Sequence, residues 1–201
     1  IGETQDILDP IGTIRIQGCG QIFKLFPVQN GLLVHCANGI WFITGSQGIG
    51  FLANDYAVTK VSGVECTNTT SFVNVQGWPM FWNDEGIYFV QPEQSGSLSV
   101  QNICIGTIWQ YFREIPLASK KYARGDYDPI NFIVQWCFRS TNESTVTNRY
   151  EYDRILALNL HNKAFYPYSI TGTPKIHGIC YIQSPGGSTA PEPVFKYVTS
   201  Y

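Results

Sequence analysis

The sequence is poor in charge. Only 14% of its 201 residues are Asp, Glu, Lys or Arg, against about a quarter in ordinary soluble proteins. Aromatic residues make up another 14%, and hydrophobic residues as a whole 44%. So few charges with so many aromatic side chains argue against disorder. The composition predicts a folded domain with much of its surface against other protein.

Long apolar runs, a basic leader and a large net charge are also missing. No stretch approaches the roughly 18 consecutive apolar residues of a membrane span, and no basic segment leads into an apolar run as in a signal peptide. The net charge is −2, so overall electrostatics give no reason to expect nucleic-acid binding. The chain begins at Ile1 rather than Met, and we expect it to be a fragment of a longer chain.

The cysteines never form a Cys-x-x-Cys pair. Six thiols could in principle form three disulfides. Several of them lie among apolar, strand-like residues, however, where a free thiol serves as a small buried side chain. We therefore predict free thiols and folding in a reducing compartment. The six are Cys19, Cys36, Cys66, Cys104, Cys137 and Cys180.

An internal repeat is the clearest structural signal that is present. The segment Leu33–Ile43 can be placed over Met80–Val90, and Gly39 then coincides with Gly86 at an offset of 47 residues. Each segment resembles a strand, a tight turn and a second strand. Asn38-Gly39 is among the strongest short hairpin signals because both residues tolerate positive φ.

Further strand-like segments flank both hairpins and continue along the chain. Four antiparallel strands repeated every 40 to 50 residues are typical of propeller blades. We predict an all-β fold, a propeller-like array of four-stranded antiparallel blades, as a single region over residues 1–201. The approximate blades are 20–62, 70–104, 120–170 and 175–201, and the added strands are Gln21–Val28, Tyr56–Val61, Ser71–Val75, Leu98–Ile103, Ile130–Arg139, Tyr150–Leu160, Ala164–Ile170, Ile176–Gln183 and Val194–Thr199.

One segment breaks the β pattern. Apolar residues at positions 108, 109, 112 and 115 have helical spacing. Thr107 is a candidate N-cap, and Pro116 would end the helix. The sequence predicts a short amphipathic helix over residues 107–115, between the second and third blades.

Catalytic and metal-binding patterns are scarce. His35 alternates with apolar residues and is expected in the core or an interface, while His161 lies in a turn and His177 precedes a glycine. None has a patterned Asp, Cys or Ser partner or a metal-ligand spacing. The glycine-rich segment at 45–50 lacks the phosphate-binding fingerprints and reads as a turn. We predict no enzyme activity, no metal and no cofactor.

Two carboxylate clusters leave alternatives open. A pair of carboxylates can hydrolyse glycosides when correctly separated, and oxygen donors can bind calcium. Asp84-Glu85 is expected in a hairpin turn, and Asp126-Tyr127-Asp128-Pro129 resembles a β-turn that opens a strand. Turn chemistry is therefore the preferred interpretation of both.

The least balanced charge follows the predicted helix. Arg113, Lys120, Lys121 and Arg124 are interrupted only by Glu114. They are possible contacts to DNA phosphates in a channel or to an acidic partner; the alternative is a solvated loop. Dense aromatics likewise fit either a sugar-binding groove or packing between blades, and packing is preferred. The aromatics concerned are Trp41, Trp78, Trp82, Tyr88 and Trp136.

Several segments together resemble the β-propeller proteins that form the tail nozzle, or the head-to-tail stabilising (tail tubular) plug, of short-tailed bacteriophages. The Asp-Arg-x-Leu-x-Leu-Asn and Phe-Tyr-Pro elements make the resemblance narrower than propeller hairpins alone. The matching segments are Leu32–Gly45 with Phe51–Tyr56, Phe81–Tyr88, Ile115–Tyr122, Tyr150–Asn159 and Ala164–Pro167.

The resemblance implies a structural virion protein of a phage tail, folded in the host cytoplasm. Such a nozzle or head-tail connector forms a homo-oligomeric ring around the DNA channel and contacts portal, adaptor or other tail proteins. It brings no catalytic residues. The alternatives are a propeller binding module for a glycan or protein receptor, and a propeller hydrolase. The hydrolase would need two carboxylates in one pocket, and the candidates are Asp84, Asp126, Asp128 and Asp153.

Overall fold

The computed structural model describes residues 13–45, 55–141, 149–172, 175–182 and 194–200. The described residues form antiparallel sheets and two short helices. The predicted all-β fold of blade-like sheets, with a short helix near residues 107–115, is confirmed. The chain divides after Cys66 into two compact units, and the prediction of a single region over residues 1–201 stays a prediction.

The first unit contains a four-stranded sheet whose order follows the chain. Its core is formed by side chains of the two central strands, including Val34 and Trp41. Within the described residues the fourth strand pairs with the third, so each strand pairs with the next one along the chain. The strands are β1 (Ile22–Val28), β2 (Gly31–Cys36), β3 (Gly39–Gly45) and β4 (Tyr56–Ser62).

The second unit repeats this design. Two four-stranded sheets again follow chain order, and a third sheet has two described strands. The helices α1 (Trp109–Glu114) and α2 (Leu117–Lys120) lie between the first two sheets in sequence. The strands are β5 (Val73–Val75), β6 (Trp78–Trp82), β7 (Ile87–Pro92), β8 (Leu98–Asn102); β9 (Arg124–Asp128), β10 (Ile133–Phe138), β11 (Arg154–Asn159), β12 (Ala164–Ser169); β13 (Lys175–Ile182) and β14 (Val194–Ser200).

The first strands of these three sheets lie side by side, with β9 between β5 and β13. Strand β9 contacts both β5 and β13. A Cβ at Gly125 of β9 would collide with the indole of Trp136 and come within 2.7 Å of a Val73 methyl carbon, so glycine allows β5 to approach. On the other side, the Asp126 carboxylate accepts a 2.7 Å hydrogen bond from the Tyr181 amide of β13. First strands side by side are the arrangement of propeller blades around their axis.

An aromatic cluster fills the space between the first two sheets of this unit. The ring centroid of Trp82 lies 5.7 Å from that of Trp136, 5.6 Å from that of Phe138 and 5.1 Å from that of Phe112 on α1. All four side chains are buried. Rings at these distances and tilts attract one another beyond their buried area, and they join β6, β10 and α1.

The repeat in the sequence is also a repeat in register. Leu33 pairs with Phe42 in the first unit, and 47 residues later Met80 pairs with Phe89. The burial of the third strand also matches, because Phe42 and Phe89 are each the half-buried member of an otherwise buried run. The two hairpins are therefore one structural unit used twice.

The turn of the first hairpin lies one residue earlier than the pair Asn38-Gly39 suggests. Cys36 pairs with Gly39, so the two turn residues are Ala37 and Asn38, and Gly39 already belongs to β3. Gly39 has φ +137, but Asn38 is not among the residues with positive φ. A Cβ at Gly39 would collide with the carbonyl oxygen of Ser62. Close approach of β4, together with its φ, requires glycine there.

The helix prediction needs two corrections. The N-cap of α1 is Ile108, without a side-chain hydrogen bond. The Thr107 hydroxyl instead donates to the carbonyls of Ile103 and Cys104, at 2.9 and 3.0 Å, because the preceding turn offers acceptors first. Trp109 is 38% exposed rather than part of the buried face.

One strand was not predicted. Residues 124–128 form β9, although the sequence suggested a turn at Asp126-Tyr127-Asp128-Pro129. The turn follows the strand: the Asp128 carboxylate accepts hydrogen bonds from the amides of Ile130 and Asn131, at 2.9 and 3.0 Å. The predicted turn began too early, because Asp128 is both the last residue of β9 and the acceptor of the turn that follows.

Candidate functional site

The four basic residues predicted as contacts to DNA or a partner divide into two kinds. Lys120 is 3% exposed, whereas Arg113, Lys121 and Arg124 are exposed. The structure therefore leaves three of the four side chains open to solvent and gives Lys120 an internal role.

Lys120 holds the turn of the second hairpin. Its ammonium donates a 2.9 Å hydrogen bond to the carbonyl of Asp84 and lies 4.5 Å from the ring centroid of Phe112. Its own carbonyl accepts a 2.8 Å bond from the Asn68 side-chain amide. Burial lowers the pKa of Lys120, and the nearby Asp84 carboxylate partly offsets this shift. These contacts fasten α2 to the β6–β7 turn.

Among the exposed cations, Arg124 lies on a first strand of a sheet. It is the first residue of β9, which contacts both β5 and β13. Its guanidinium reaches toward β13, since a Cβ built on Gly178 would lie 3.6 Å from one of its nitrogens. Arg113 lies on α1, with its guanidinium 6.0 Å from the ring centroid of Trp109, and Lys121 follows α2.

The candidate carboxylates are engaged in local structure. Asp126 accepts from the amides of Tyr127 and Tyr181, and Asp128 closes the turn after β9. Asp84 accepts from the Thr67 hydroxyl at 3.3 Å. Asp153 accepts from the amide and hydroxyl of Ser140, at 2.8 and 2.5 Å. Each therefore orders a turn or joins neighbouring strands.

The histidines are dispersed. His35 is fully buried in β2, and burial lowers its pKa to about 3, so it is neutral at ordinary pH. His161 lies in the β11–β12 turn and His177 in β13. Among the described residues, no group of three or more His, Cys, Asp or Glu side chains is placed to hold a metal ion.

All six cysteines are free thiols. Burial raises the pKa of Cys104 and of Cys137 to about 12, and that of Cys36 to about 11. Thiols with such pKa values are poor nucleophiles at neutral pH. They act as small buried side chains.

The aromatic residues considered for sugar binding are mostly buried. Trp41 is 6% exposed, Tyr88 7%, and Trp82 and Trp136 are fully buried; Trp78 is half-buried. The indole nitrogen of Trp136 donates a 3.0 Å bond to the carbonyl of Ser71. Packing between strands therefore accounts for them.

Most of the glycine-rich segment at 45–50, which was interpreted as a turn, lies outside the described residues.

A cleft of about 530 Å³ in the second unit was not predicted. It lies between the β5–β8 and β9–β12 sheets, where three hairpin turns meet. These turns contain Gln76, Phe132 and Lys163. The residues are far apart in sequence and belong to no motif, so sequence patterns gave no signal of the cleft.

Comparison with protein-family models finds no match, and comparison with curated proteins finds none either. The described helices are too short to cross a membrane, at six and four residues.

Proposed function

We propose that this chain is a structural virion protein of a phage tail, of the nozzle or head-tail connector kind, and that it forms part of a ring around the DNA channel. The observation that carries the proposal is the side-by-side packing of the first strands β5, β9 and β13. In a propeller, first strands surround the axis. We propose further that Arg124, an exposed arginine on β9, meets DNA phosphates in the channel of the ring.

The outer strand β12 supports an assembly role. It has no charged residue, and its Tyr166 and Tyr168 are 42% and 52% exposed. Exposed aromatic side chains with few charges are typical of protein interfaces. We propose that this strand contacts neighbouring subunits or portal, adaptor and tail proteins in the virion.

The proposal includes no catalysis. The four candidate carboxylates each accept hydrogen bonds from the protein, and the buried thiols are protonated at neutral pH. Stable turns and packed sheets explain these groups without a reaction. A hydrolytic activity that disappears with Asp126→Asn or Asp128→Asn, while the protein remains folded, would contradict this part of the proposal.

Sedimentation and native mass measurement of the full-length protein test the assembly. We expect a closed oligomer of several copies, and we expect the double change Tyr166→Lys and Tyr168→Lys to dissociate it. The matched control is Ile105→Lys, which changes a side chain that is 67% exposed outside the sheets. A monomer at all concentrations would contradict the proposal.

Binding of duplex DNA at several salt concentrations tests the channel. We expect Arg124→Gln to weaken binding and to lower the slope of log K against log salt by about one per subunit that contacts DNA. Lys24→Gln, on the exposed surface of β1, is the control. Equal effects of the two changes on DNA affinity would contradict the proposed contact of Arg124 with DNA.

A second candidate function is a module that binds a glycan or a protein receptor. The exposed tyrosines of β12 favour it, since tyrosine combines an apolar face with a polar end. Binding to immobilised glycans that is lost on Tyr168→Ala would support it. Trp41→Ala and Trp82→Ala are unsuitable for this test because both side chains are buried.

A further inference from the structure

The cleft between the β5–β8 and β9–β12 sheets has an apolar interior. Met80 and Phe89 contribute from the first sheet, and Leu158 and Phe165 from the second. A volume of about 530 Å³ is within the range of sites that hold small molecules, roughly 300–1,000 Å³. The cleft is therefore large enough for a small apolar or aromatic ligand.

Backbone strain is concentrated at the mouth of this cleft. Gln76, Phe132 and Lys163 have φ of 53, 55 and 54, and they are the non-glycine residues with positive φ in the described ranges. All three line the cleft. Positive φ is unusual for a bulky side chain such as phenylalanine. Strained residues cluster at ligand sites, where the surroundings hold them in place.

The strained conformation places an aromatic wall at the mouth. The ring centroid of Phe132 lies 4.5 Å from that of His161, in an edge-to-face arrangement, and both side chains line the cleft. Two hairpin turns, β9–β10 and β11–β12, thereby contact each other through their side chains. A ligand in the cleft would have this pair beside it.

The polar side chains of the cleft include neutral amides and one cation. Glutamine amides at positions 76, 91 and 101 line it together with the charged Lys163, and no carboxylate is found among the described lining residues. An anionic group can pair with the ammonium and accept hydrogen bonds from the amides. A cationic group would be repelled by the Lys163 ammonium and would find no carboxylate among the described lining residues.

We propose that this cleft is a binding site for a small ligand with an apolar body and a carboxylate end. The body would lie against Met80, Phe89 and Leu158, and the carboxylate would meet Lys163 at the mouth. Aliphatic and aromatic carboxylates share this chemistry. The residues that would hold the ligand differ from Tyr166, Tyr168 and Arg124, which are proposed for ring and DNA contacts.

Calorimetric titration of the full-length protein with dodecanoate and with 2-naphthoate tests the site and distinguishes the two kinds of body. Dodecanol and 2-naphthol serve as probes without the carboxylate. We expect one molecule bound per chain for at least one carboxylate, with weaker binding of the matching alcohol. Absence of measurable binding for both carboxylates up to about 1 mM would overturn the proposal.

Two variants locate the binding. Lys163→Met should weaken the carboxylate about fivefold, as expected for one partly exposed charge pair, and should leave the alcohol unchanged. Lys175→Met, an exposed lysine on β13, is the matched control. Equal effects of the two lysine changes on carboxylate affinity would place the ligand elsewhere and overturn the proposal.

The strained phenylalanine gives a second, separate test. Phe132→Asn introduces a side chain that tolerates positive φ, so the protein should stay folded by circular dichroism while affinity for the carboxylate falls. Should this variant fail to fold, Phe89→Trp narrows the cleft from the opposite sheet, and the same loss of affinity is expected. Full affinity in a folded variant of either kind would contradict the site.

Discussion

The hairpins Leu33–Ile43 and Met80–Val90 lie in different units, yet they are built alike. Their cross-strand partners correspond at an offset of 47 residues, and so do the buried positions of their second strands. The glycine that begins the second half is in both cases a point of close approach to the fourth strand of the sheet. Register therefore follows from the burial pattern and the turn length, which both segments share.

The hairpins differ in what they bury and in what holds their turns. His35 in the first corresponds to Trp82 in the second, and both are fully buried. The first turn is held by Asn38, whose amide donates a 3.0 Å bond to the carbonyl of Gly18, and the second by the Lys120 ammonium on Asp84. The same hairpin backbone therefore carries different buried side chains and different turn contacts in the two units.

The largest expected effect is at Trp82. Trp82→Ala removes a buried indole at the centre of the aromatic cluster and should lower the free energy of unfolding by about 4 kcal/mol. The half-buried Trp78 is the control on the same strand, and Trp78→Ala should cost clearly less. Urea unfolding of both variants gives the comparison; equal losses would mean that the cluster does not stabilise the second unit.

Acid should weaken the first hairpin through His35. Burial lowers the folded pKa of His35 to about 3, from an ordinary value of 6.5. The neutral imidazole therefore stabilises the fold above pH 6.5, and this contribution is lost as the pH falls toward 3. The loss is about 1.4 kcal/mol per pH unit, or about 3 kcal/mol between pH 7 and pH 4.

The variant His35→Leu sharpens this prediction. It should remove that part of the acid sensitivity, as seen in urea unfolding at pH 7 and pH 4. Amide hydrogen exchange should show the difference in the first unit, because Trp82 at the equivalent position does not titrate. An unchanged pH dependence in His35→Leu would show that His35 is not the titrating group.

The two glycines should differ in their sensitivity to a methyl group. Gly39→Ala combines strain at φ +137 with a collision against the Ser62 carbonyl, and it should cost about 2 kcal/mol or more. Gly86→Ala meets the Asn102 side chain, whose displacement would lose its 3.0 Å bond from the Cys104 amide, and it should cost about 1 kcal/mol. Thermal unfolding of both variants ranks them, and the reverse order would contradict this account of the turns.

The smallest expected effect concerns the second turn. Lys120→Met keeps most of the apolar stem but leaves the Asp84 carbonyl without its donor, which should cost about 1 kcal/mol. The adjacent exposed Lys121→Met should change stability by less than about 0.5 kcal/mol. Denaturant unfolding separates these values. If Lys121→Met proves the more damaging change, Lys120 does not hold the turn.

The sequence was most informative about features that repeat along the chain. Alternation and turn residues predicted the sheets, and the 47-residue offset predicted the equivalence of the hairpins. The sequence did not predict β9, since Asp128 belongs to both the strand and the following turn. It also misassigned Thr107, whose hydroxyl donates to the carbonyls of Ile103 and Cys104 instead of capping α1.

The sites depended on long-range packing and were less predictable. Four clustered cations suggested one patch, but only the fold could bury Lys120 and place Arg124 on a first strand. The cleft joins Gln76, Phe132 and Lys163 from three separate turns. Their spacing in the sequence does not indicate that these three residues line one cleft.

Electron cryo-microscopy of the assembled full-length protein tests the central claim most directly. We predict a closed ring of several copies in which Arg124 faces the central channel and the outer strand β12 contacts a neighbouring molecule. A particle without a channel, or one in which Arg124 is turned away from the channel and the tyrosines of β12 remain in solvent, would contradict the proposal of a tail-channel protein.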